Sequence, residues 1–286
     1  MTDRPPDTQR WAVLALIPSA AWLTLFFLVP LGIVAAISLM EAGEPVTWRL
    51  DGSSFARLVD PLHLNIVARS AALAVAATIL CFLLGYPLAY YIARCPPATR
   101  RLLYFLVLLP LWANSLILIY AWMVLLRPNG VIEQLLAVLG LVAEEPLGLL
   151  YTPAAVLLGL VYWYLPFMVY PLYASIEKFD FHLLEAAYDL GASRWQAFRL
   201  VLLPATRPGV VAGSLLVFIE SLGAFVVPEL LGGAKSMMIG NLVQQRFLST
   251  PQDWPLGAAA AVALLVLIGS AMVLYLRFGQ GERNGR

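Results

Sequence analysis

The chain has 286 residues, of which 61% are hydrophobic and 12% charged, with a formal net charge of +1 and a mean hydropathy of +0.83. A soluble domain carries about a quarter charged residues, so this chain cannot clothe a water-soluble globule and its main solvent is lipid. The near-neutral balance provides no basic surface for nucleic acid.

A helix needs about 20 apolar residues to cross the hydrocarbon, and six stretches meet that length. Residues 1–10 read as a polar tail. Trp11 to Met40 follows without a charge. It is too long for the apolar core of a secretion signal and has no clear small-residue cleavage site after it, so it reads as a retained first span. The second span lies between Arg69 and Arg94, the third between Arg101 and Arg127, the fourth between Tyr151 and Ile176. The fifth lies between Gly209 and Val227 and holds Glu220; the sixth lies between Leu256 and Leu276, and 277–286 form a second tail. A weaker run, Val131 to Val142, is short and contains Glu133. It reads as a surface helix or a loop packed on the bundle. Pro87, Pro110, Pro166 and Pro171 fall inside spans and imply kinks, which neighbouring helices can accommodate in a membrane.

Twelve of the eighteen Lys and Arg residues fall on the side that holds both tails and the 178–207 segment. The excess places that side, with both termini, in the cytoplasm. The opposite loops carry Glu41, Glu44, Asp51, Asp60, Glu133, Glu144 and Glu145. Trp11, Tyr104, Trp112, Tyr151 and Tyr275 sit near span ends, as interfacial belts do. Cys81 lies in an apolar run and Cys95 beside Arg94, so both read as free thiols. His63 and His182 are far apart, and no metal site or cofactor is expected.

One polar island stands out, between the fourth and fifth spans. Asp180 can cap a helix starting at Phe181. Leu183, Leu184, Ala187 and Leu190 give that helix an apolar side. Gly191 fits its stop, because glycine takes the left-handed conformation without strain. Ser193-Arg194-Trp195-Gln196 reads as a capping box that opens a second helix, and this helix must yield near Pro204. On periodicity alone the island is either an amphipathic connector lying on the membrane or a docking surface.

The string Glu185-Ala186-Ala187-x3-Gly191-x9-Val201-x-Leu203-Pro204 resembles the EAA loop of ABC-importer permeases, with Val201 where the family pattern has isoleucine. The resemblance runs from about residue 66 to 275. It implies an all-α membrane protein with six transmembrane helices, a type I ABC-importer (MetI-like) transmembrane domain with a cytoplasmic coupling helix. In that family the loop sits in a cleft of the ATP-binding subunit, so the resemblance makes Glu185, Ala186, Ala187, Gly191, Leu203 and Pro204 the coupling residues. Gly223 to Lys235, Ile239-Gly240-Asn241 and Asp253-Trp254-Pro255-Leu256-Gly257 are similar to spermidine/putrescine permeases. The implied function is the membrane-spanning subunit of a polyamine importer in the bacterial inner membrane. The implied partners are a dimer of ATP-binding subunits, a second permease and a periplasmic substrate-binding protein. A permease for another solute such as ferric iron is the alternative, followed by an ion-coupled secondary transporter.

The chain has no G-x-x-x-x-G-K-[ST] phosphate loop and no G-x-S-x-G elbow, so it reads as no enzyme, with ATP hydrolysis left to a partner. Glu220 is a carboxylate at membrane depth, which costs about 3 kcal/mol or more unless it meets water, a partner or a cation. It either lines the substrate path or serves an internal structural role. Polyamine permeases often have proline at this position, and some carry the acid one turn on, where this chain has Ala224. Glu229 near the outer end of the span could receive a cation. Tyr162, Trp163 and Tyr164 could hold an ammonium group over their rings, or could simply pack.

Overall fold

The computed structural model describes residues 17–41, 47–140, 148–249 and 252–279. The expected tail at 1–10, Trp11, Glu44, Glu144, Glu145 and most of the second tail lie outside them. By compactness the chain divides into two units: Met1–His63 with Val243–Leu265, and Leu64–Leu242 with Val266–Arg286.

In the first unit, helix α1 (Ile17–Ile37) carries no charge and has no buried side chain. It contains one wide turn, Thr24–Leu28, closed by the Val29 N–H on the Thr24 carbonyl. That turn ends two residues before Pro30. A proline ring crowds the carbonyl four residues upstream and brings no N–H, and a wide turn just before it makes room. A hairpin follows, β1 (Met40–Glu41) antiparallel to β2 (Thr47–Leu50), then α2 (Ser53–Leu58). Arg57 of α2 forms an ion pair with Asp253. His63 is buried, with its ring Nδ1 2.8 Å from the Arg57 carbonyl.

The second unit is built around α7 (Pro153–Ile176). Val156, Leu160, Met168, Leu172 and Ile176, four or eight residues apart, are fully buried along it. Helix α3 (Pro61–Arg94) brings Ala74, Ala77, Cys81 and Ala89 to the core. Small side chains let backbones approach, which is how helices associate when lipid removes the hydrophobic drive between them. Helix α10 (Arg207–Gly223) packs on α7 through two glycines. A Cβ on Gly209 would lie 2.5 Å from the Pro171 carbonyl oxygen, and one on Gly213 would lie 2.8 Å from Met168 Sδ. Helix α11 (Val226–Gly232) sets Val227 and Leu231 against Gly159 of α7.

Among the described residues, five helical segments are long and apolar enough to cross a membrane: Ile17–Ile37, Pro61–Arg94, Ser115–Val138, Pro153–Ile176 and Trp254–Val273. A further pair, Arg194–Ala205 (α9) and Arg207–Gly223 (α10), passes the same test only when taken together and is bent by 72° between its members. Two expected spans are thereby corrected. The third is not one helix from Arg101 to Arg127. Helix α4 (Pro97–Trp112) stops, Ala113 and Asn114 are extended, and Asn114 opens α5 (Ser115–Leu126) by accepting the Leu116 N–H at 2.9 Å. An asparagine in this role favours a new helix start over continuation. The fifth ends at Gly223, not Val227, because Ala224 is extended before α11 begins.

Helix α3 runs through Pro87 and α7 through Pro166 and Pro171 without interruption. The short run at 131 is α6 (Val131–Val138). Its Glu133 is buried and accepts the backbone N–H groups of Asn129 at 2.8 Å and Gly148 at 3.2 Å. Glu133 thus ties together the loops on either side of this short helix. Cys81 and Cys95 are both free and buried.

Candidate functional site

The polar island folds as a helical hairpin. Helix α8 (His182–Asp189) follows Asp180, whose Oδ1 accepts the His182 N–H at 3.0 Å. Gly191 has φ +85°, and the helix closes with Ala192 N–H on the Ala187 carbonyl (3.0 Å) and Gly191 N–H on the Tyr188 carbonyl (2.9 Å). This paired closure satisfies the last carbonyls and turns the chain sharply. Ser193 Oγ then accepts the Gln196 N–H at 3.3 Å, and Gln196 Oε1 accepts the Ser193 N–H at 2.8 Å. The expected capping box is complete.

Helix α9 contains another wide turn, Phe198–Leu202. It again ends two residues before a proline, here Pro204, so one physical device occurs twice. At the elbow between α9 and α10, Thr206 is fully buried. Its hydroxyl donates to the Leu202 carbonyl at 2.8 Å and lies 2.9 Å from the hydroxyl of Tyr86 on α3.

The two faces of the hairpin differ. Leu184 is buried, and Ala187 packs on the core from a half-buried position. Glu185 and Ala186 are exposed, and so are Leu190, Trp195 and Leu200. Leu190 was expected on the apolar side; at 89% exposure it instead juts from the tip. Leu203 is half-buried and Pro204 exposed. Glu185 Oε2 is 3.2 Å from His182 Nδ1. Exposed large apolar residues beside a charged helix face are what a partner surface requires.

A second constellation surrounds Glu220 in the last turn of α10. Its carboxylate is exposed into a cavity of about 430 Å³, lined also by Trp163, Tyr164, Ser115, Gly223 and Phe225. Among the described residues Glu220 makes no ion pair. The five candidate path residues therefore separate. Glu220, Trp163 and Tyr164 meet in one cavity. Tyr162 packs edge-on against Trp122, with ring centroids 5.3 Å apart, and Glu229 is exposed on α11; neither lines the cavity. Consecutive helical residues point about 100° apart, so three successive aromatic residues cannot share one side.

Sequence reasoning missed the polar joints that hold these elements. Asn241 on α12 (Ile239–Leu248) donates from Nδ2 to the Phe225 carbonyl at 2.7 Å and accepts the Met238 N–H at 3.2 Å. Ser70 Oγ accepts the Ile239 N–H at 2.8 Å. Arg100 Nη2 donates to the Ala93 and Cys95 carbonyls at the end of α3, while Nη1 reaches Glu177 at 3.3 Å. Of the side chains in these joints, only that of Asn241 lay in a string singled out beforehand. The others join residues 5 to 169 positions apart and leave no local pattern.

Residues 85–284 match the family described as binding-protein-dependent transport system inner membrane component. The chain is 42% identical over 260 residues to the spermidine/putrescine transport system permease protein PotB of Escherichia coli K12, covering 90% of this chain and 93% of that one. It is 41% identical over 275 residues to the protein of the same name from Salmonella typhimurium SL1344, covering 95% and 94%. In fold it is similar to a chain of a bacterial ABC transporter involved in the import of the acidic polysaccharide alginate. That likeness has a TM-score of 0.74 at 19% identity and covers 94% of this chain and 96% of that one.

Proposed function

Because the chain belongs to the binding-protein-dependent transport system inner membrane component family, we propose that it is a permease subunit of an ATP-binding-cassette importer for polyamines of the spermidine and putrescine kind. The polyamine assignment draws on the two permeases named above. The observation that carries the mechanical part is the α8–α9 hairpin. It is closed at both helix ends by satisfied hydrogen bonds, bound to α3 through Thr206 and Tyr86, and bare at Glu185, Ala186, Leu190 and Trp195. A rigid, anchored and uncovered projection is suited to receiving force from a partner.

The excess of Lys and Arg on the side of this hairpin supports a cytoplasmic location, with both termini on the same side. Glu185, Ala186, Ala187 and Gly191 then form the contact with an ATP-binding subunit, and Leu203-Pro204 begins the elbow that passes motion to α10. Two ATPases, a second permease and a periplasmic binding protein complete the assembly. The chain itself performs no covalent chemistry. Nucleotide-driven closure of the motor brings the hairpins together, and the spans reorient around a central path.

Glu220 with Trp163 and Tyr164 forms the cation-selective part of that path. The carboxylate attracts an ammonium group, and the ring faces hold it by cation–π attraction. Tyr162 and Glu229 lie off the cavity, and the exposed Glu229 receives the cation before it enters. Two measurements test the reading. A cysteine at Ala187 crosslinks to the ATPase in the assembled complex, and spermidine delivered by the binding protein stimulates its ATPase. Absence of any crosslinked second polypeptide removes the coupling assignment. Glu220→Gln lowers uptake of labelled spermidine about tenfold or more; unchanged uptake removes Glu220 from the path.

A further inference from the structure

Helix α3 and the α8–α9 hairpin enclose a groove of about 860 Å³. Along α3 its wall includes Leu83, Pro87, Tyr90 and Arg94, spaced four, three and four residues, so they share one helix face. Eleven residues of helix rise about 16 Å, roughly half of the 30 Å hydrocarbon thickness. The length of the groove matches the depth of a single leaflet. Its deep part is apolar, and Leu83 there is 57% exposed.

The mouth is different. Arg94 and Arg194, one hundred positions apart in the chain, both line it beside Trp195. Arg94 is held in place: it donates to the Tyr90 hydroxyl at 3.0 Å and lies over the Tyr90 and Phe181 rings, 5.8 and 5.6 Å from their centroids. Among the described residues neither arginine has a carboxylate partner, and no acidic residue lines the groove. Glu185, whose charge reaches Arg94, pairs with His182 and stands outside the lining. Arg94 is fixed and Arg194 stands exposed at the same mouth, and guanidiniums suit a phosphate because their forked N–H groups match its oxygens.

We propose that this groove binds one anionic phospholipid, with its phosphate between Arg94 and Arg194 and an acyl chain along Leu83 and Pro87. Given the orientation proposed above, the lipid belongs to the cytoplasmic leaflet. The site lies against the hairpin, so an anionic lipid braces the coupling element on α3. A polyamine cannot occupy it, since both charges at the mouth are positive. A zwitterionic lipid fits the floor but adds a second cation beside the arginines.

The test is native mass spectrometry of the purified complex with its ATPase, after exposure to phosphatidylglycerol or phosphatidylcholine of matched chains. Wild type retains phosphatidylglycerol preferentially. Each near-surface cation contributes a factor of about five, so Arg94→Gln lowers retention about fivefold and R94Q/R194Q about twenty-five-fold. Leu83→Trp fills the floor and lowers retention with both charges present. Millimolar glycerol 3-phosphate leaves the lipid in place, because the chain supplies part of the affinity. Equal retention of the two lipids by wild type overturns the proposal. So does undiminished retention in R94Q/R194Q or in Leu83→Trp, displacement by glycerol 3-phosphate, or a crosslink showing a second permease seated in the groove. Loss of the co-purifying ATPase from wild type speaks against the importer reading, while lipid retention is still read on the permease itself.

Discussion

Replacing Thr206 by valine tests the elbow between α9 and α10. The side chains have similar volume, so the change acts through hydrogen bonding rather than a cavity. Thr206 gives its only hydroxyl proton to the Leu202 carbonyl at 2.8 Å, and therefore accepts from Tyr86 across 2.9 Å. Thr206 is fully buried and Tyr86 is 5% exposed. Thr206→Val leaves the Tyr86 O–H as a buried donor without an acceptor, which costs about 1–3 kcal/mol. Tyr86→Phe is milder at about 0.5–1.5 kcal/mol, since Thr206 still donates to Leu202. The double variant Y86F/T206V has no orphan donor, so it is no less stable than T206V alone. The assay is reversible unfolding in mixed micelles followed by tryptophan fluorescence, arranged as a double-mutant cycle. If the two single costs simply add, or if T206V lies within 0.5 kcal/mol of wild type, the hydrogen-bonded elbow does not hold the joint.

Gly191→Ala forces a Cβ into the left-handed region at φ +85° with open space around it, so it costs about 1–2 kcal/mol through strain alone; unfolding in the same micelles measures it. Gly209→Ala is the opposite case, a φ that suits alanine but a Cβ 2.5 Å from the Pro171 carbonyl. It separates α10 from α7 and costs about 1–3 kcal/mol or more, seen as lower yield of folded protein by size-exclusion chromatography. Asn241→Ala removes the partners of the Phe225 carbonyl and the Met238 N–H. With Asn241 8% exposed, it destabilises by about 1–3 kcal/mol, read as faster amide exchange at Met238.

Membrane class, helical fold and the hairpin were legible in the chain because each depends on short-range pattern. Lipid solubility follows from composition, and backbone groups in hydrocarbon must be satisfied within helices, so apolar length alone implies spans. The Ser193–Gln196 box and the Gly191 stop operate within six residues, and both formed as read. Boundaries were less legible. Asn114-Ser115 is a brief polar step in a long apolar run, and hydropathy averaged over a span does not register the change of backbone direction there.

Tertiary structure alone decided which side chains share a space. Tyr162, Trp163 and Tyr164 are equivalent in sequence, yet helix rotation sends two to Glu220 and one to Trp122. Tyr86 and Thr206, or Arg94 and Arg194, stand about a hundred positions or more apart, and no local propensity joins them. Composition and periodicity set what each segment becomes, since those choices rest on a few neighbouring residues and the solvent. The meeting of distant polar groups depends on how helices pack, which small residues such as Gly209 and Gly213 govern through the approach they allow.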